Sequence, residues 1–193
     1  MKKIFAVAAL AVASLFGAAN ANAEGWFIGG SLGYWHESSN ANQDFSTNTL
    51  TILPEAGYNF NSKWAVGTQI GYEMVSICGA NSDGHMFQFN PYARWSYFRT
   101  SNNLVQLFLD GTVGIGVGGL TYDGDSEGNA VTWKVGVRPG VAINLTDKFS
   151  LVAHFGMVGY EDANDDARAL GYSKQGGLLL NPGSIDFGFY FNF

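Results

Sequence analysis

Stretch after stretch of this chain alternates apolar with polar or very small residues, and that period of two leaves antiparallel sheet as the fold to expect. Trp26 to His36 sets Trp26, Ile28, Leu32 and Tyr34 on one face against Gly29, Ser31 and Gly33 on the other. Thr49 to Phe60 sets Leu50, Ile52, Pro54, Ala56, Tyr58 and Phe60 against Thr51, Glu55, Gly57 and Asn59. Trp64 to Met74, Phe87 to Phe98, Leu104 to Val117 and Val131 to Leu145 repeat the pattern. The phase runs through the third and fourth of these segments without a slip. Phe149 to Tyr160 and Ile185 to Phe193 bring the expected strands to eight.

One face is greasy and the other is polar, charged or tiny, so the greasy face has to meet something other than a packed interior. A soluble ligand-carrying barrel would reverse the pattern, with apolar residues inside. An even number of strands closes a sheet without unpaired edges, the condition for sheet in lipid. With aromatic residues at 15%, 26 glycines and only 13% charge, the chain reads as an all-β, eight-stranded antiparallel up-and-down transmembrane β-barrel. The connections alternate in length: 61–63, 99–103 and 146–148 are short, and 37–48, 76–85, 120–130 and 161–176 are long. Short periplasmic turns and long extracellular loops give this rhythm, and it places both ends of the barrel domain in the periplasm. Trp26, Tyr58, Phe60, Trp64, Trp95, Tyr97, Phe149, Phe191 and Phe193 gather near the short turns, as in an interfacial aromatic belt. A weak repeat, Pro54-Glu-Ala56, Pro91-Tyr-Ala93 and Pro139-Gly-Val141, puts proline inside strands and predicts a bulge or bend at each.

Lys2 and Lys3, an apolar run from Ile4 to Phe16 and the small residues ending Ala21-Asn22-Ala23 have the order of a secretory leader. Residues 1–23 are thus expected to be a signal peptide cleaved after Ala23, and 24–193 a single barrel domain. The apolar run falls short of the roughly 20 residues a membrane-spanning helix needs. Net charge is -6, and losing the two lysines makes the remainder more acidic, so a basic nucleic-acid footprint is absent. Cys78, the single cysteine, has no internal partner for a disulfide and is expected to be an inert loop thiol.

The closing residues Asp186-Phe-Gly188-Phe-Tyr-Phe191-Asn-Phe193 resemble the carboxy-terminal assembly signal of outer-membrane barrels. Asp186, Gly188, Phe191 and Phe193 carry that resemblance. Gly57-Tyr58-Asn59-Phe60 leading into Lys63-Trp64-Ala65-Val66-Gly67, and Gly156-Met-Val-Gly159-Tyr160, are similar to segments of the small outer-membrane barrel family that includes OmpX-like and OmpA-like barrels. The resemblance implies the bacterial outer membrane as location, with its lipid and lipopolysaccharide as surroundings and the barrel-assembly machinery as a partner of the last strand. The family includes adhesins, small pores and envelope-stabilising proteins, so it supports fold more than role.

The phase of the strands points Glu55, Glu73, Arg94, Asp110, Lys134, Arg138, His154 and Asp186 into the lumen. Opposite charges in one interior should pair, and an eight-stranded barrel is about wide enough for side chains to fill it. Glu55, Arg94, Asp110, Arg138 and Asp186 are expected to form one network, with His154 beside it. The bland outcome is a polar plug; the functional one is a narrow ion path gated by rearrangement of the pairs. Two acidic loop features invite a cation: Asp123-Gly-Asp125-Ser-Glu127-Gly128, whose twelfth position is Lys134 rather than an acid, and Glu161, Asp162, Asp165 and Asp166. Solvated loops are the expectation for both, with no metal site. A lipid-modifying hydrolase would need serine and histidine at the outer rim; His36 with Ser38 and His85 with Ser82 are neighbours only in sequence. No phosphate loop, dinucleotide fingerprint or zinc pattern is present, and no cofactor is expected. A non-enzymatic barrel with a structural or surface-binding role carried by its outer loops is the leading expectation, its ligand unnamed; a small porin comes second.

Overall fold

The computed structural model describes residues 24–38, 46–78, 82–122, 125–169, 172, 174–179 and 185–193. The expected leader, including Ala21 and Ala23, lies outside them. The described chain forms β1 (Gly25–Ser38), β2 (Ser46–Asn59), β3 (Trp64–Cys78), β4 (Ser82–Arg99), β5 (Val105–Tyr122) and β6 (Asp125–Asn144). These are followed by β7 (Phe149–Phe155), β8 (Met157–Ala163), α1 (Asp165–Ala169), β9 (Gln175–Leu179) and β10 (Ile185–Asn192). Each strand pairs antiparallel with its neighbours, β5 joins β6, and β1 joins β10, so the sheet closes on itself. β7 and β8 are two halves of one stave, and the eighth is completed by β10. The result is a closed eight-stranded barrel.

Alternation decides which way each side chain points. Trp64, Val66, Ile70, Tyr72 and Met74 on β3 and Val113, Ile115 and Val117 on β5 are outward and exposed, whereas Glu55, Gln69, Arg94, Asp110 and Thr112 are buried inside. An outer surface of this composition belongs against hydrocarbon. The phase does slip once in β4: the β4–β5 register shifts between Ser96 and Phe98, and Tyr97 and Phe98 are both exposed. The short turns are tied by side chains that mimic backbone. Asn61 Oδ1 accepts from the Lys63 and Trp64 amides at 2.8 and 3.0 Å, and Thr146 Oγ1 from Lys148 and Phe149 at 3.2 and 3.0 Å. Both ends of the barrel sit at this short-turn end, where the Phe193 amide donates to Trp26 O at 2.9 Å.

The opposite end departs from the long loops expected there. β3 runs to Cys78 and β4 begins at Ser82, while β5 runs to Tyr122 and β6 begins at Asp125, so most of 76–85 and 120–130 is hairpin. The span 161–176 holds the end of β8, α1 and the start of β9. Hydrogen bonding continues past the greasy stretch because backbone pairing does not require apolar alternation. Two of the three prolines fall where ladders break. The β2–β3 register omits Leu53 and Pro54, and the β4–β5 register omits Asn90 and Pro91. Thr112 Oγ1 donates to the freed Pro91 carbonyl at 3.1 Å. Pro139 keeps its partner on β5, but beside it β6 changes partner from β7 to β8. There Gly156 takes φ 64°, a left-handed bend that a side chain disfavours.

Candidate functional site

Inside the short-turn half, four aromatic side chains that the alternation placed inward without marking them out fill the lumen. Phe27, Phe108 and Tyr190 form a buried cluster with Ala65, Ala142 and Val152, and Tyr92 packs against it. Inward glycines on adjoining strands make the room. A Cβ on Gly57 would collide with the Phe27 ring, one on Gly67 with Tyr92, and one on Gly140 with Phe108. The glycine-rich inner face is therefore the seat of large rings, not empty space.

Arg94 stands at the centre of these rings. Its guanidinium carbon lies 3.9 Å from the Phe108 ring centre and 5.0, 5.1 and 5.8 Å from those of Tyr190, Tyr92 and Phe27. Arg94 and Asp110 are register partners across β4 and β5, which sets up a two-pronged pair: Nε donates to Oδ1 and Nη2 to Oδ2, each at 2.7 Å. Planar guanidinium and carboxylate favour this fork. His154 Nε2 lies 3.0 Å from Asp110 Oδ2. Nη2 of Arg94 also donates to the Tyr190 hydroxyl at 2.8 Å, and that hydroxyl donates to Glu55 Oε1 at 2.6 Å. The Tyr92 hydroxyl donates to the same oxygen. Glu55 stands 3.6 Å from Arg94 Nη2. Two carboxylates, one guanidinium, one imidazole and two phenols are thus bonded into a single buried unit.

The remaining inward charges do not join it. Arg138 Nη2 meets Asp186 Oδ2 at 2.6 Å higher in the barrel, and Asp186 is 42% exposed. Between this pair and the Arg94 unit lies a void of only about 10 Å³. Glu73 accepts from the Tyr172 hydroxyl at 2.5 Å, and Lys134 Nζ reaches Gln88 Oε1 at 3.5 Å. The expected single network is therefore two groups, with Glu73 and Lys134 bonded to neither: Arg138 and Asp186 stand across the ladders from Asp110 and His154, yet their side chains bond each other. Tyr92 and Tyr190, which sequence reasoning did not single out, are what link Glu55 to Arg94. Their inward phase was the available signal.

Above the Arg138 level a second cavity of about 210 Å³ opens among Gln88, Asn90, Thr132, Lys134, Glu161, Tyr172 and Gln175. α1 and Tyr172 cover it. Met86, Ala130, Ala163 and Ala167 form a small buried cluster with Tyr172 against it. Asn164 fastens this cover: its Oδ1 accepts from the Val131 and Ala167 amides at 2.9 and 3.0 Å, and its Nδ2 donates to Asn129 O at 2.6 Å. Burial beside the Glu73 carboxylate pushes the Tyr172 hydroxyl above its ordinary pKa, so it remains a donor. A cavity of about 610 Å³ opens at the short-turn end, on the other side of the Arg94 unit.

The acidic residues of 161–166 have protein partners. Asp162 and Asp165 pair with Arg168 at 3.2 and 3.0 Å, the Asn129 amide donates to Asp166 at 2.9 Å, and Gln175 donates to Glu161 at 2.8 Å. Asp123, and the side chains of Asp125, Glu127, His36, Ser38, Cys78 and Ser82, lie outside the described residues.

A lipid-facing closed barrel of eight staves with charges paired inside defines an integral outer-membrane barrel. The chain belongs to the outer membrane protein beta-barrel domain family, whose model matches residues 5–193. Its fold is similar to the crystal structure of Neisserial surface protein A, at 15% identity and TM-score 0.55, covering 87% of this chain and 97% of that one. It also aligns with the outer membrane protein OprG from Pseudomonas aeruginosa, at 14% identity and TM-score 0.47, covering 89% and 97%. No curated protein sequence matches the chain.

Proposed function

We propose that this protein is a closed, non-enzymatic outer-membrane barrel whose work is done at its long-hairpin end, in surface binding and envelope integrity. The observation that carries this is the Arg94 unit. It lies between the two cavities, and the space beside it, about 10 Å³, is at the lower limit for a single water. A steady solute path needs more room than that. The short-turn end, which holds both ends of the barrel domain, faces the periplasm in this reading, and the long hairpins face outward into the lipopolysaccharide layer. Outward Phe187, Phe189 and Phe191 on β10 alternate with inward Asp186, Gly188 and Tyr190. With Phe193, that strand presents the assembly machinery with the ending it recognises.

One observation favours the small-porin reading. Glu55, at 3.6 Å, is a second carboxylate already beside Arg94, so the guanidinium could exchange partners without being stranded. Swelling of liposomes carrying the purified protein separates the two. The closed barrel gives no swelling in small sugars or amino alcohols, whereas a pore gives swelling that falls with solute size.

A further inference from the structure

The covered cavity at the hairpin end has an unfinished polar lining. Asn90 is 2% exposed, and among the described residues neither its Nδ2 nor its Oδ1 has a hydrogen-bond partner. A buried primary amide ordinarily satisfies both ends. It lies at the floor of the cavity, beside Gly114, where a Cβ would strike Asn90 Oδ1 and stand 2.8 Å from Lys134 Cε. Gly114 thus holds open the corner where the amide and the lysine converge.

Lys134 and Glu161 are register partners across β6 and β8 and both line the cavity. Among the described residues no hydrogen bond or ion pair joins them. Lys134 has a long 3.5 Å contact with Gln88, and Glu161 accepts from the Gln175 amide at 2.8 Å. A cation and an anion held on adjacent walls, each with a neutral partner, flank an amide that offers one donor and one acceptor.

We propose that this chamber binds a small zwitterion, a molecule whose anionic and cationic groups lie a few atoms apart. Its anionic group sits on Lys134 Nζ and its cationic group on Glu161, with the Asn90 amide completing the lining between them. A simple anion would meet the Glu161 carboxylate, and a simple cation would meet Lys134, so neither completes the lining. The volume, about 210 Å³, is below the range of drug-sized pockets and suits a molecule of a few heavy atoms. The proposal deepens the reading of a barrel that works at its hairpin end, and it rests on that reading.

The test is calorimetric titration of the detergent-purified protein with unbranched ω-amino carboxylates of one to about five methylene groups, with acetate and ethylammonium as single-charge controls. The chain-length series acts as a ruler, and the expected result is an affinity maximum at one spacing with no binding of either control. Lys134→Gln and Glu161→Gln should each weaken the best zwitterion by about tenfold or more, and Gly114→Ala, which fills the corner, should abolish it. Retention of the heat-dependent gel shift shows that each variant is folded. Acetate or ethylammonium binding as tightly as the zwitterion, affinity unchanged in both glutamine variants, or no binding of any probe overturns the proposal. Conductance is read separately: a conducting barrel that still binds the zwitterion overturns the closed-lumen reading and leaves the chamber standing.

Discussion

In the short-turn half of the lumen, Arg94 has a forked bond to Asp110, a third bond to Tyr190 and four rings around it. In the hairpin half, among the described residues, Lys134 has one hydrogen bond, at 3.5 Å, and the Asn90 amide has none. Both halves are built by the same alternation on the same strands. The difference comes from what surrounds the charges. Around Arg94, inward rings seated on glycines exclude water, so the polar groups among those rings are paired by protein. Above, Tyr172 and α1 form a cover over space, so polar groups can be left for solvent or a ligand.

That contrast sets the expected order of effects in urea unfolding from lipid vesicles. Arg94→Ala strands Asp110 and Glu55 inside the ring cluster and should cost about 3–5 kcal/mol, the largest loss of any single change named here. Phe108→Ala removes a fully buried ring that covers the guanidinium, and a loss of roughly 3 kcal/mol is expected. Tyr172→Phe deletes only the bond to Glu73 beneath the cover and should cost about 1 kcal/mol. Its clearer signature is faster protease cleavage within 161–176. Arg168→Ala breaks two half-exposed pairs with Asp162 and Asp165 and should change stability by about 0.5 kcal/mol or less. If Tyr172→Phe proved as costly as Arg94→Ala, the two halves would be equally tight and the comparison would fail.

Much of this was legible in the sequence because a period of two leaves each residue only two directions. Inward Glu55, Arg94, Asp110 and His154, and outward Trp64, Val66 and Trp133, follow from phase alone. Alternation gives direction but not the choice of partner, so it could not separate Arg138 and Asp186, which bond each other, from the Arg94 unit across the ladders from them. It also could not tell a glycine that leaves space from one that seats a ring; Gly57 and Gly140 do the second, directly across the ladder from Phe27 and Phe108 on the adjoining strands. The Ser96–Phe98 shift leaves no mark in the sequence because Tyr97 and Phe98 are both apolar and either phase accepts them. The hairpin extensions at 76–85 and 120–130 were hidden by polar composition, since a strand beyond the lipid has no reason to alternate.

Single-channel recording from the purified protein in a planar bilayer, with its folded state verified by gel shift, bears most directly on the closed lumen. The Arg94 unit predicts a flat trace at wild type, with steps appearing in Arg94→Ala where that variant folds. Reproducible steps of uniform size from the wild-type barrel would contradict the account and make the inward charges the lining of a pore.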